Sequence, residues 1–231
     1  MWQYFDTVIL FGSSLVSVDR ALRDIARAAR HTCRLILDDA PANFANGVLV
    51  GSDLVLTAAH AFFDAAGAPI VSRVRDRVTV EIDGCTVSLH DRWLIAPSIG
   101  ENGCAGRDVD RLDYALLRLR GDVASDWCAL PSEGNAPILV PGLIVHIVQH
   151  VDRDSPRIAS GQVTGVSPDR MRVRYTASAL PSASGSPVFD DSFRLVALHV
   201  ERGDDSNPAH NLGLPIRRVS LDLEHRKGES L

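Results

Sequence analysis

Gly47-Val48-Leu49-Val50-Gly51-Ser52-Asp53-Leu54-Val55-Leu56-Thr57-Ala58-Ala59-His60 is two short apolar runs around a Gly-Ser-Asp turn, closed by an imidazole. Val48–Val50 and Leu54–Thr57 are too short for helices, contain β-branched residues and are bounded by turn residues, so both are expected as strands. The small residues Ala58 and Ala59 leave the His60 ring free to reach across a cleft. The same texture recurs outward. Cys33–Leu37, Val78–Ile82 and Ala115–Leu119 join the first two runs in a first barrel. Leu139–Val148, Ile158–Val166, Met171–Thr176, Pro187–Phe189 and Leu195–Val200 make a second, with Ser167-Pro168-Asp169-Arg170 as a turn within it.

Before the barrels, Ser17 caps an expected helix over Val18–Arg30. Val18, Leu22, Ile25 and Ala29 form its apolar stripe and Arg20, Arg23, Arg27 and Arg30 face elsewhere, so it should pack on the outside of the barrels. The organisation expected is a helical extension over 1–32, a first barrel over 33–120, a Gly/Pro/Ser/Asp-containing linker over 121–137, a second barrel over 138–215 and a C-terminal helix and tail over 216–231. A chain of 231 residues with 45% hydrophobic content can bury a core of that size.

The net charge of −5 argues against a nucleic-acid partner, which needs clustered basic residues against phosphate. No run approaches the roughly 20 apolar residues of a membrane span. Val8–Val18 is apolar, but Met1-Trp2-Gln3-Tyr4-Phe5-Asp6 carries an acid and no base, which is wrong for a secretory leader, so a cytoplasmic location is expected. The cysteines Cys33, Cys85, Cys104 and Cys128 form no CxxC pair and are expected as free, mostly buried thiols. His146 and His150 have HxxxH spacing but lie in a strand-like run without a glutamate between them, so no metal is expected.

Chemistry enters with two further segments. Asp113-Tyr114-Ala115-Leu116-Leu117 puts a carboxylate at the head of an apolar strand, where a buried charge needs a hydrogen-bonded partner. Ser182-Ala183-Ser184-Gly185-Ser186-Pro187 offers a hydroxyl in a tight turn. A serine is a weak nucleophile until an imidazole takes its proton, and a buried carboxylate fixes the imidazole tautomer and stabilises the imidazolium. His60, Asp113 and Ser184 supply these groups in the order base, carboxylate, nucleophile. Asp108 and Asp110 are weaker candidates for the carboxylate because they lie beside the Gly-rich run 100–106.

With that order, the chain resembles bacterial trypsin-like serine peptidases of the chymotrypsin fold, nearer to the glutamyl-endopeptidase branch than to digestive trypsins. The resemblance rests on Gly47–His60, Asp113–Leu117, Ser184–Phe189, Leu195–Val200 and Asn211–Ile216, and spans roughly residues 33 to 220. It implies a mainly β fold of two six-stranded antiparallel barrels, chymotrypsin-like, needing no cofactor and acting on a protein or peptide substrate. Of the two serines in the turn, Ser184 matches the family pattern, because a glycine follows it and Pro187 lies three positions on. The oxyanion hole implied is built from the backbone N–H groups of Ser182 and Ser184. The family usually has glycine at the position of Ser182, and a Cβ there raises the expectation of a flipped, inactive peptide that straightens only when substrate or a partner binds. Ala183 replaces the aspartate that trypsins pair with a freed N-terminus, so that route of activation is not expected.

The substrate-binding residues implied are Ser178, Ala179, His199, Val200, Glu201 and Arg202. Ser178 stands where trypsins carry the acid that binds arginine or lysine. His199 matches the histidine with which glutamyl endopeptidases bind an acidic side chain, but Ala179 stands where that branch usually has Thr or Ser, so an acidic or polar residue at the cleaved bond is expected with a small apolar one as the alternative; Val200–Arg202 would pair with the peptide as a strand edge. The function expected is a serine endopeptidase, partner-activated in a bacterial defence or signalling system. The alternative is a binding module of the same fold with weak or no catalysis.

Overall fold

The computed structural model describes residues 17–38, 43–63, 68–69, 74–98, 112–132, 135–151, 155–203 and 211–229. It opens with α1 (Val18–His31) and continues through β1 (Thr32–Leu37), β2 (Asn43–Leu49), β3 (Leu54–Thr57), a 3-10 turn (Ala59–Ala61), α2 (Val74–Arg77), β4 (Val78–Ile82), β5 (Cys85–Ser98) and β6 (Tyr114–Leu119). Then follow β7 (Ile144–Gln149), β8 (Arg157–Val166), β9 (Val173–Tyr175), β10 (Pro187–Asp190), β11 (Leu195–Glu201), β12 (Asn211–Pro215) and α3 (Ile216–Glu229). The strands close into two antiparallel barrels, ordered β1-β2-β3-β6-β5-β4 and β7-β8-β9-β12-β11-β10. The two circuits are the same when renumbered, so one topology is used twice.

The apolar runs of the opening segment are continuous because both faces of those strands are buried. Along β2, β3 and β6, Ala45, Leu49, Val55, Ala115, Leu117 and Leu119 fill the first barrel. The alternate residues Val48, Leu56, Tyr114 and Leu116 point the other way, into a second core shared with Val148, Phe189 and Leu198 of the other barrel and with Ile216 and Val219 of α3. A fully buried Leu or Phe contributes about 1.5–3 kcal/mol. The shared core therefore packs the barrels against each other. Tyr114 also donates its hydroxyl to Asp222 of α3, and Arg226 holds the same carboxylate at 2.7 Å.

Several sequence expectations change. Ser17 does cap α1, its hydroxyl accepting the Arg20 N–H at 3.3 Å, but the buried face is Ala21, Ala28 and His31 with Ile25 half-buried. Val18 and Leu22 are exposed, because the helix turns its small residues to the barrels for close approach. β7 starts at Ile144 rather than Leu139, since Pro141-Gly142 forms a turn with Gly142 at φ +87°. β5 was not anticipated: His90-Asp91-Arg92 interrupts its apolar pattern, and its register slips between Leu89 and Ala96. Of the cysteines, Cys33 is buried, Cys128 half-buried and Cys85 exposed, all with free thiols. Asp108, Asp110 and Cys104 lie outside the described residues. Among those described, no helix is long and apolar enough to cross a membrane.

The barrels come close at Gly185, at φ +83°, where an added Cβ would lie 2.1 Å from the Asn46 carbonyl oxygen and 2.4 Å from Thr57 Oγ1. Gly84, in the β4–β5 hairpin, has a similar φ of +79° and open space around it. Gly84→Ala meets only backbone strain and is expected to cost about 1 kcal/mol. Gly185→Ala adds overlap with fixed backbone and is expected to cost more than about 3 kcal/mol, both read from urea unfolding.

Candidate active site

Strand register brings the base and the carboxylate together. β3 and β6 pair with Thr57 opposite Ala115. His60 leaves the end of β3 on the 3-10 turn and Asp113 stands just before β6, so the two meet at one rim of the barrel. His60 Nδ1 lies 2.8 Å from Asp113 Oδ2, and the His60 backbone N–H donates to Oδ1 at 3.0 Å. Asp113 is buried and sits at φ +68°. A carboxylate cannot donate, so Nδ1 carries the proton and Nε2 presents its lone pair. Burial works against a charge on His60, but the hydrogen bond and charge of Asp113, helped by the charge of Glu201, outweigh it and hold the imidazole above its ordinary value.

The nucleophile turn comes from the other barrel. Ser184 Oγ lies 2.8 Å from His60 Nε2. Its backbone is tied on both sides: Asn46 N–H donates to the Ser184 carbonyl at 2.8 Å, and Gly185 N–H donates to the His199 carbonyl at 2.8 Å. Ser186 is fully buried, with its hydroxyl packed away from solvent, so only Ser184 is placed for attack.

Ahead of Ser184, Leu180–Ala183 is a β-turn closed by Ala183 N–H to the Leu180 carbonyl at 3.0 Å. Ser182 occupies its third position at φ +68°. That value defines a turn that prefers glycine, and a side chain there costs about 1–2 kcal/mol. In this conformation neither Ser182 nor Ser184 donates its N–H to an acceptor among the described residues.

Three buried side-chain amides hold the non-regular segment 177–182. Asn46 of β2 donates to the Ser182 carbonyl at 2.7 Å. Gln149 of β7 donates to the Ser178 carbonyl at 2.9 Å and accepts from Leu180 N–H at 3.0 Å. Asn211 of β12 donates to the Ala177 carbonyl at 2.6 Å and accepts from Gly203 N–H at 3.0 Å. Sequence reasoning missed all three. The expected strands began at Val48 and ended at Val148, which left out Asn46 and Gln149, and nothing local marks Asn211 as a partner of the distant Ala177 carbonyl.

Of the remaining sequence candidates, Ala179 is buried in the wall and Ser178 is exposed. His199 lies buried on β11, its Nδ1 2.5 Å from the buried Tyr175 hydroxyl. Burial, and then the charge of His60, push His199 down to about 3, so it is neutral at ordinary pH. Val200 is buried, Glu201 half-buried and Arg202 exposed where β11 slips register against β12. His146 and His150 do not converge: one contacts Ser160 and stacks on Phe193, the other reaches the Thr32 carbonyl.

The arrangement is a hydroxyl, an imidazole and a carboxylate in hydrogen-bonded series where the two barrels meet, next to two backbone N–H groups, of Ser182 and Ser184, that meet no acceptor among the described residues. A crystal structure of the serine endoprotease from Yersinia pestis matches over 92% of this chain and 67% of that chain, with a TM-score of 0.62 and 15% identity. At that identity the likeness establishes the fold, which is chymotrypsin-like. No curated protein matches the sequence. The family model for the trypsin-like peptidase domain matches residues 45–198, two thirds of the chain, from the strand before His60 to the strand that carries His199. With its match and its fold in agreement, the chain belongs to the trypsin-like peptidase domain family.

Proposed function

We propose that this chain is a serine endopeptidase in which Ser184 is the nucleophile, His60 the general base and acid, and Asp113 the group that orients His60. The observation that carries the reading is the unbroken series Ser184 Oγ–His60 Nε2 at 2.8 Å and His60 Nδ1–Asp113 Oδ2 at 2.8 Å. His60 takes the Ser184 proton as Oγ attacks the peptide carbonyl, and the resulting imidazolium is stabilised by Asp113. The amides of Ser182 and Ser184 receive the oxyanion. The same imidazolium protonates the leaving amine, and a water activated by His60 then hydrolyses the acyl-enzyme on Ser184. Ser182 at φ +68° supports a site assembled in the isolated chain, so the purified protein is expected to turn over substrate with no added protein.

The same geometry supports a preference for an acidic or polar side chain at P1, the substrate residue whose carbonyl is attacked, as in the glutamyl-endopeptidase branch. In the reading proposed, the Tyr175 hydroxyl donates to Nδ1 of the neutral His199, 2.5 Å away, and the His199 proton is then on Nε2 as a donor. Nothing anionic is in the wall at Ser178 or Ala179 to select arginine or lysine. A single neutral donor favours an oxygen acceptor such as a carboxylate or carboxamide.

Turnover requires neutral His60, so activity is expected to fall as pH drops, with a midpoint above the ordinary imidazole value of 6.5. Asp113→Asn removes the contribution that raises His60, so the midpoint moves to lower pH while kcat falls about 10⁴-fold. Initial rates on a peptide substrate from pH 5 to 9 read both effects; an unshifted profile contradicts the role given to Asp113. In a peptide series differing only at P1, kcat/KM is expected to be highest for Glu or Gln and lowest for Lys or Arg. His199→Leu should cost the Glu and Gln substrates about 10- to 100-fold while leaving an Ala substrate within about threefold. A loss equal for all three would show that His199 only packs.

A further inference from the structure

The alternation of side chains along β11 breaks where the strand passes the nucleophile. Leu198 pairs with Leu214 of β12 and faces the core shared by the barrels. His199 pairs with Gly213 and faces the interior of the second barrel, where it meets Tyr175. Regular alternation would turn Glu201 inward behind His199. The register slips instead: the next pair after His199–Gly213 is Glu201–Leu212, so Val200 and Glu201 together oppose one residue. An extra residue of this kind re-aims the side chains beyond it. Leu212 packs on the shared core, and Arg174 of β9 follows it in the same cross-strand row. Glu201 therefore takes the outer face, toward the first barrel.

On that face Glu201 comes within electrostatic reach of the catalytic pair. Its charge acts on the His60 ring and on Arg172, which stands just before β9. Arg172 donates from Nη1 to the Met171 carbonyl at 2.9 Å, and its guanidinium is shared among the charges of Asp113, Asp169 and Glu201. Arg174 is exposed, and His199 is held neutral. Three carboxylates against one shared guanidinium leave Glu201 with an excess of negative charge beside His60. Glu201 is half-buried, so salt screens it less than a fully exposed carboxylate.

The edge of β11 is open at the same place. Gly185 N–H donates to the His199 carbonyl and His199 N–H donates to the Ser186 carbonyl, both at 2.8 Å. Beyond that point no strand among the described residues pairs with Val200 or Glu201 on the β10 side. A peptide extended along this edge, with its attacked carbonyl at Ser184, directs successive side chains to opposite faces. With P1 on the face toward His199, the residue before it, P2, lies on the face toward His60 and Glu201.

We infer that Glu201 is a specificity-determining residue: its carboxylate, turned outward by the slip in β11, selects a lysine or arginine at P2 of the substrate. The inference rests on the serine-peptidase reading above and deepens it by naming a second substrate position.

The test is a set of peptides with P1 fixed at the best residue of the P1 series and Lys, norleucine or Glu at P2, with kcat/KM measured at low ionic strength. Lys is expected to exceed norleucine about fivefold and Glu at least about tenfold. Lys and norleucine share one aliphatic stem, so apolar contact alone would make them equal. Glu201→Gln keeps the shape and should bring all three peptides within about threefold, as should about 0.5 M salt in the wild type. The midpoint of the acidic pH limb should also fall in Glu201→Gln, because Asp113, the other charged group facing His60, is untouched. Equal values for Lys and norleucine in the wild type, a Lys preference that survives Glu201→Gln, or an unmoved midpoint overturns the inference while an active wild type leaves the peptidase reading standing. A wild type with no turnover on any peptide removes the reading first, and the inference with it.

Discussion

At Gly185 the nucleophile turn of one barrel lies against the backbone of Asn46 and beside Thr57 in the other, with no room for a side chain between them. Everything the site does depends on that contact. His60 and Asp113 belong to the first barrel and Ser184 to the second, so the 2.8 Å hydrogen bond between Ser184 and His60 exists only while the two are seated together. The shared core of Val48, Leu56, Tyr114, Leu116, Phe189 and Leu198 supplies the non-directional adhesion. Directional precision comes from backbone hydrogen bonds at the contact, Asn46 N–H to Ser184 and Gly185 N–H to His199.

Three buried amides brace the segment that leads into this junction. Asn46, Gln149 and Asn211 are buried amides, and each spends its donor and its acceptor on the backbone of the wall and turn segment or on a strand or loop beside it. A buried amide left unpaired costs about 1–3 kcal/mol, so each side chain is as constrained as the segment it holds. This gives an irregular stretch of chain a fixed shape without a crosslink. The same logic extends to His60, whose tautomer is set by Asp113. Two neighbouring histidines are kept in opposite regimes: Asp113 favours a proton on His60, while burial and the charge of His60 keep His199 neutral.

The parts of this architecture that were legible in the sequence are those in which function and packing share a short segment. Val48–His60 and Asp113–Leu119 announce themselves because strands buried on both faces are continuously apolar, and the chemical groups sit at their ends. The turn Ser182–Pro187 is legible because few sequences place a serine before glycine with proline so near. β5 was hidden by exposed charged residues and slipped register, and the face of α1 was misjudged because Ala21 and Ala28, rather than the larger Val18 and Leu22, make the contact. The staples were beyond reach for a more general reason. Asn46 and Ser182 are 136 residues apart, and nothing local in either segment says that one will complete the other.

The central claim is that Ser184, His60 and Asp113 form a working nucleophilic series. Intact mass after incubation with a fluorophosphonate tests it most directly, because phosphonylation needs an activated serine and no knowledge of the substrate. The account predicts a single adduct on the wild type and on Ser186→Ala, absent from Ser184→Ala. A folded wild type that takes up no label, or a Ser184→Ala protein that labels as well as the wild type, would contradict it.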